Sequence, residues 1–186
     1  MEKNSTKSLI LTLVTIGIVS ALLLTFVYEW TTPYIEANQA QARKQAINEV
    51  LPNVEEVEEI EKDGKTFFEG YDSGGNRVGV AYQHSGGGYN GVIELMIGFD
   101  LESQEINKFS VLNHEETPGL GARITEQEFK ANFENMPFGD YRVVKTPPSE
   151  ETEVQAIAGA TISSENTTRI IEEAVNIVTE AYGGGN

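Results

Sequence analysis

The chain has 186 residues, with 13 Lys+Arg against 29 Asp+Glu and a formal net charge of −16, enough for one domain with a real core and too little for several. Such acidity repels phosphate backbones, so nucleic acid is not an expected partner. The absence of cysteine excludes disulfides, thiolate zinc sites, iron–sulfur clusters and a cysteine nucleophile, and two histidines, His84 and His114, are too few for a His-rich metal site.

The first expected element is a membrane anchor. Ser8–Tyr28 is 21 residues without a charge, and a helix needs about 20 apolar residues to cross the hydrocarbon core. A signal peptide has a shorter apolar region and a small-x-small cleavage site, whereas Thr25-Phe-Val-Tyr-Glu-Trp30 follows here. Tyr28, Trp30 and Tyr34 suit the headgroup level. Lys3, Lys7 and Glu2 give residues 1–7 a net charge of +1, which leaves −17 for the chain beyond the anchor. Positive flanks stay in the cytoplasm, so the expected placement is a single pass through the cell (inner) membrane. The N-terminus is then cytoplasmic and the C-terminal domain extracytoplasmic.

Pro33 marks the membrane exit. Ile35–Leu51 lacks Gly and Pro and reads as a helical stalk with an apolar edge of Ile47, Val50 and Leu51, stopped by Pro52. The expected organisation is residues 1–7 in the cytoplasm, 8–28 across the membrane, 29–52 as stalk, 53–182 as the folded domain and 183–186 as a disordered tail. The run Glu55, Glu56, Glu58, Glu59, Glu61 reads as a solvated face with Val54, Val57 and Ile60 turned inward. Thr66–Tyr71, Val78–Gln83, Val92–Phe99 and Ile106–Leu112 read as strands of an antiparallel meander, with Ser85–Gly88 as one of its turns. Thr125–Glu134 reads as a short helix with a Thr125-x-x-Glu128 capping box. Tyr141–Lys145 and Val154–Ala158 are two more strands joined through Pro147-Pro148. Ser163–Tyr182 is a second long helix with a stripe of Ile170, Ala174, Ile177 and Ala181. The class is α+β: one transmembrane helix, then an antiparallel sheet with flanking helices.

Two glycine-containing motifs carry the chemistry. In Glu116-Thr-Pro-Gly-Leu-Gly121, Pro118 presets φ at the second position of a turn and Gly119 allows positive φ at the third, a type II pattern. Gly121 adds a second permissive residue, and the loop presents Thr117 and Leu120. In Ala158-Gly-Ala-Thr-Ile-Ser-Ser164, a strand gives way to a helix. Gly159 and Ala160 let backbone or ligand come close, and Thr161, Ile162, Ser163 and Ser164 open a helix whose free N–H groups favour an anion or a hydroxyl cap. No Gly-Lys-Ser/Thr follows, so this is not a P-loop. Ser163 and Ser164 lack a nucleophile-elbow context, and His114 reads as an exposed loop residue.

Taken together, the two motifs behind one anchor resemble the FMN-binding domain family, and in particular the RnfG component of Rnf electron-transport complexes and the related NqrC component of the sodium-pumping NADH:quinone reductase. The likeness includes Ala46–Pro52, Gly91–Gly98, Val111–Gly121 and Gly159-Ala-Thr161 with its helix. The resemblance implies an electron-carrier subunit of a membrane-bound, ion-translocating oxidoreductase. It implies FMN joined through its phosphate to Thr161 by a separate flavin transferase, with Gly159, Ala160, Ile162 and Ser163 around the phosphate. Glu116, Thr117, Pro118, Gly119, Leu120 and Gly121 lie along the ring, Thr117 and Leu120 as direct contacts. Other membrane subunits are the implied partners. The family's Asp-x-x-Ser/Thr-Gly-Ala-Thr becomes Gln155-Ala-Ile-Ala-Gly-Ala-Thr161 here, which loses a carboxylate and a hydroxyl. These losses motivate the alternative of a scaffold that binds FMN reversibly or not at all.

Overall fold

The structure is a computed structural model that describes residues 6–183. Residues 1–5 of the expected cytoplasmic segment and 184–186 of the expected tail lie outside it. Two units are present, Met1–Ala42 and Arg43–Asn186. Helix α1, Thr6–Val50, begins in the first and ends in the second. Its first part is long and apolar enough to cross a membrane. Pro33 lies inside it and removes one backbone donor, while the Thr31 and Thr32 hydroxyls donate to the Val27 and Tyr28 carbonyls one turn earlier.

The second unit is built on a six-stranded antiparallel meander, in spatial order β1 (Glu56–Lys62), β2 (Lys65–Tyr71), β3 (Arg77–Gly87), β4 (Val92–Asp100), β5 (Glu105–His114) and β6 (Met136–Pro137). Alternation along the strands gives the sheet two apolar faces. Phe67, Tyr82, Leu95, Ile97 and Phe109 belong to one cluster, which α3 (Thr161–Gly183) covers with Ile170, Ile171, Ala174, Val175 and Val178. Phe68, Ala81 and Met96 belong to the other, covered by Ala46, Ile47, Val50 and Leu51 at the end of α1. The glutamate run is thus strand β1 at the sheet edge. Val57 projects outward on it, contrary to expectation, because period 2 sets it on the same side as Glu59 and Glu61. Charges on such an edge discourage further strand pairing.

The end of α1 can lie against the sheet only because the floor beneath it is glycine. A Cβ on Gly98 would fall on the Val50 carbonyl oxygen, and one on Gly79 would come within 3.0 Å of the Leu51 side chain just past the helix end. Glu49 adds a polar latch, accepting from the Ser110 hydroxyl at 2.7 Å and the Lys130 ammonium at 2.5 Å. Burial raises its pKa, but these donors and the nearby lysine charges outweigh it and hold the carboxyl below its usual range.

Two further expectations are corrected. Strand β3 runs on through Ser85, Gly86 and Gly87, which stay in register with Glu94, Ile93 and Val92, so the hairpin tip is Gly88–Gly91. No capping box forms. Thr125 ends a 3-10 turn (Gly121–Thr125) and donates to the Ala122 carbonyl, while Glu128 faces Arg123. Only the single turn α2 (Gln127–Lys130) is α-helical, followed by a 3-10 turn at Ala131–Phe133. Burial of Phe129 and Phe133 beside Phe109 decides this backbone. The two strands expected beyond this segment do form, as β7 (Arg142–Val144) and β8 (Glu153–Gln155), and they pair in parallel.

Glu153 closes the loop between those two strands. It accepts from the Ser149 N–H at 2.7 Å and the Ser149 hydroxyl at 3.0 Å, and pairs with Arg142. The Ser149 N–H and the Arg142 guanidinium hold its pKa down near about 2. An unfolded glutamate titrates near about 4.3. The ionised form therefore contributes stability that is complete above that value and is lost as pH falls toward 2. Glu153→Gln is expected to flatten that acid limb and to leave its shape above pH 5 unchanged, as followed by thermal denaturation against pH.

Candidate functional site

At one end of the sheet, loop Glu116–Gly121 meets the segment that enters α3. The Leu120 N–H donates to the Thr117 carbonyl at 3.2 Å across Pro118-Gly119, with Gly119 at φ 75°, which is the turn expected from the sequence. A second turn follows the same logic. The Ala160 N–H donates to the Ile157 carbonyl at 2.9 Å, with Gly159 at φ 81°. The two turns touch: a Cβ on Gly159 would lie 3.4 Å from a Leu120 methyl.

Helix α3 starts directly from the second turn. The Ser164 N–H donates to the Ala160 carbonyl at 3.0 Å, which makes Ala160 the N-cap, a position where alanine offers no capping oxygen. The hydroxyls expected to cap are used otherwise. That of Ser164 donates to the Ala160 carbonyl and accepts from the Ile157 N–H, both at 3.0 Å. That of Ser163 donates to Glu116 at 2.7 Å. The N–H groups of Thr161, Ile162 and Ser163 lack intrahelical acceptors by helix geometry.

Glu116 is the hub. It is only 4% exposed and takes three donors from two segments. These are the Ser163 hydroxyl in the first turn of α3, the Tyr89 N–H at 2.6 Å and the Asn90 N–H at 3.3 Å at the tip of the β3–β4 hairpin. Its own N–H donates to His114 Nδ1 at 3.2 Å. His114 is thus the half-buried last residue of β5, not an exposed loop residue. Glycine is required at the close approaches, since a Cβ on Gly88 or Gly121 would land on the Glu116 carboxyl.

These contacts border an open-sided cavity of about 410 Å³, within the range of small-molecule and cofactor sites. Glu116, Thr117, Leu120 and Gly121 line one side, and Gly159 to Ser163 the other. Nine of the eleven residues singled out in the sequence therefore meet in one place. Pro118 and Gly119 do not line it; they shape the turn that does. Tyr89 lines it and was missed. The only available signal was an aromatic residue inside the glycine-rich stretch Ser85–Gly91, which reads locally as a plain turn. Gln155 and Ala158 lie outside this cavity. They are exposed and border a separate cleft of about 140 Å³ with Arg123, Glu126 and Asn132.

The cavity fits a flavin mononucleotide in kind. Leu120 and Ile162, both about half exposed, offer apolar surface for a flat ring, and the uncapped helix start offers N–H groups for a phosphate. Family comparison agrees. A model described as the FMN-binding domain matches residues 88–176, and one for the RnfG N-terminal region matches residues 1–50. The chain is 36% identical over 190 residues to the G component of the ion-translocating oxidoreductase complex of Methanosarcina acetivorans, covering 98% of each chain. It is 28% identical over 183 residues to the G component of the proton-translocating ferredoxin:NAD(+) oxidoreductase complex of Clostridium ljungdahlii, covering 98% of this chain and 97% of that one. The crystal structure of Shewanella oneidensis NqrC shares the fold with a TM-score of 0.54 at 19% identity, over 69% of this chain and 67% of that chain.

Fold and cavity thus define an FMN-binding domain carried behind a long apolar helix. More narrowly, the chain belongs to the RnfG family, a component of ion-translocating oxidoreductase complexes.

Proposed function

We propose that the chain is the flavin-bearing electron carrier of a membrane-bound, ion-translocating oxidoreductase complex, holding FMN covalently through a phosphoester on Thr161. The observation that supports this best is the single cavity in which the uncapped start of α3, with Thr161 as its first residue, faces the Thr117–Leu120 turn. When bound, FMN supplies the electron-transfer chemistry, and the protein supplies position and environment.

Each residue has a defined task in this reading. The Ile162 and Ser163 N–H groups and the α3 dipole favour the phosphate. Gly159 and Ala160 admit it close to the backbone. Leu120 and Thr117 lie along the ring, and Glu116 fixes the loop against the helix. In the attachment step, the bond from the Thr161 hydroxyl oxygen to phosphorus forms as the phosphate of an activated flavin nucleotide loses its leaving group, and the hydroxyl proton departs with that group. A separate flavin transferase carries out this step. Gln155 and Ala158 border the other cleft, so the missing carboxylate and hydroxyl bear on how the transferase grips the segment and not on how the cavity holds the flavin.

The anchor spans the cell membrane with its N-terminus in the cytoplasm, in keeping with Lys3 and Lys7, and the domain works on the extracytoplasmic face beside other membrane subunits. Ser8–Tyr28 has no charged residue, so this chain supplies no ion path of its own. Two results are expected. Membranes resolved on a denaturing gel show flavin fluorescence at the mass of this chain, and the band vanishes when the transferase is absent. Affinity capture of the chain in mild detergent brings other membrane subunits with it. A non-fluorescent band with the transferase active supports the reversible or scaffold role.

A further inference from the structure

Three exposed large hydrophobic residues, Tyr89, Leu120 and Ile162, border the same cavity, with Tyr89 65% exposed. The other tyrosines of residues 43–186 are all engaged. Tyr71 and Tyr182 donate to Glu69, Tyr141 donates to the Pro137 carbonyl, and Tyr82 stacks on Phe67 with ring centroids 4.9 Å apart. Among the described residues, the Tyr89 ring has neither a hydrogen-bond partner nor an aromatic neighbour.

Its backbone, by contrast, is tightly held. The Tyr89 N–H is bound to buried Glu116, the Asn90 side chain donates to the Glu115 carbonyl at 2.8 Å, and the Gly88 N–H donates to the Gly91 carbonyl at 2.6 Å. Glycine at 88 and 91 lets the tip lie directly on the two glutamates. An exposed ring on a fixed backbone, beside a cavity and with nothing to stack on, is a preorganised surface for a flat ligand.

We infer that Tyr89 is the aromatic wall of the flavin site and packs against the isoalloxazine, with Glu116 as its positioning residue. This rests on the flavin reading above. Tyrosine in contact with an isoalloxazine quenches its emission, so the contact can be read without any measurement of activity. Ring–ring contacts of ordinary strength favour the packed over the unpacked arrangement by about fivefold.

The test uses the full chain, produced with the transferase, as wild type, Tyr89→Leu, Tyr89→Trp and Glu116→Ala. Intact mass gives flavin load and denaturation gives stability, so emission is compared per bound flavin among folded proteins. Tyr89→Leu is expected to carry the full flavin load with emission raised about fivefold. Tyr89→Trp stays quenched. Glu116→Ala gains emission with the tyrosine still present, because the tip is no longer fastened. Unchanged emission in fully loaded Tyr89→Leu overturns the inference and leaves the attachment standing. A wild-type chain without flavin overturns the attachment reading and the inference with it.

Discussion

Replacing Thr161 by valine is expected to abolish the proposed covalent flavin attachment and to leave the fold in place. Valine has the shape of threonine and lacks only the oxygen that would carry the phosphoester. The hydrogen bonds that fasten the start of α3 run from the Ser164 hydroxyl and from Ser163 to Glu116, and none uses the Thr161 hydroxyl. Thr161 is half-buried at the first helical position, where the change in helix propensity is a few tenths of a kcal/mol at most, about 0.3. The expected result is complete loss of flavin fluorescence on a denaturing gel, loss of electron transfer through the complex, and a melting temperature close to wild type. Ser163→Ala is the contrasting variant. It leaves the Thr161 hydroxyl intact and deprives buried Glu116 of a donor, so it is expected to retain flavin and to lose about 1–2 kcal/mol of stability. If Thr161→Val keeps both its flavin and its electron transfer, Thr161 is not the attachment point.

The second large effect lies on the opposite face of the sheet. Gly98→Ala is expected to destabilise the domain by about 3 kcal/mol, the upper end of ordinary overpacking, because its new methyl group meets the backbone carbonyl of Val50. Backbone in a helix end cannot step aside as a side chain can. Gly70→Ala is the control. Its Cβ meets the Leu51 Cδ1 at 2.7 Å and the Val54 Cγ2 at 3.0 Å, both side-chain atoms that can rotate, so its cost is smaller, about 1 kcal/mol. Denaturation of the two variants side by side checks the order. Gly98→Ala should also expose the chain near Arg43 and Lys44 to trypsin, since the end of α1 loses its seat. Equal stabilities would mean that the glycine floor is not what admits the end of α1.

How much of this was legible in the sequence follows from where the determinants lie. Strands β2 to β5 were readable because each alternates within itself and is bounded by turn residues. The two motifs were readable because Pro118-Gly119 and Gly159 encode local backbone geometry, and that geometry appears. What failed depended on contacts between distant segments. Ser85–Gly87 has turn composition, yet it stays in the ladder because β4 continues opposite it and a Cβ on Gly86 would fall on the Ile170 side chain. Thr125-x-x-Glu128 has capping-box spacing, but Phe129 and Phe133 must reach Phe109 on β5 in the core. Ser163, Ser164, Thr167 and Thr168 look like a polar helix face and are all buried, their hydroxyls satisfied by carbonyls one turn back or by Glu116. Tyr89 could not be assigned at all, because its place beside the cavity is created by Glu116, 27 residues away.

The measurement that bears most directly on covalent flavin attachment is the intact mass of the full chain, produced in membranes with the flavin transferase present, followed by peptide mapping. The expected result is a gain equal to FMN less one water, located on the peptide that contains Thr161. An unmodified mass, obtained while the transferase modifies a control substrate, or a flavin mapped to another residue, would contradict it.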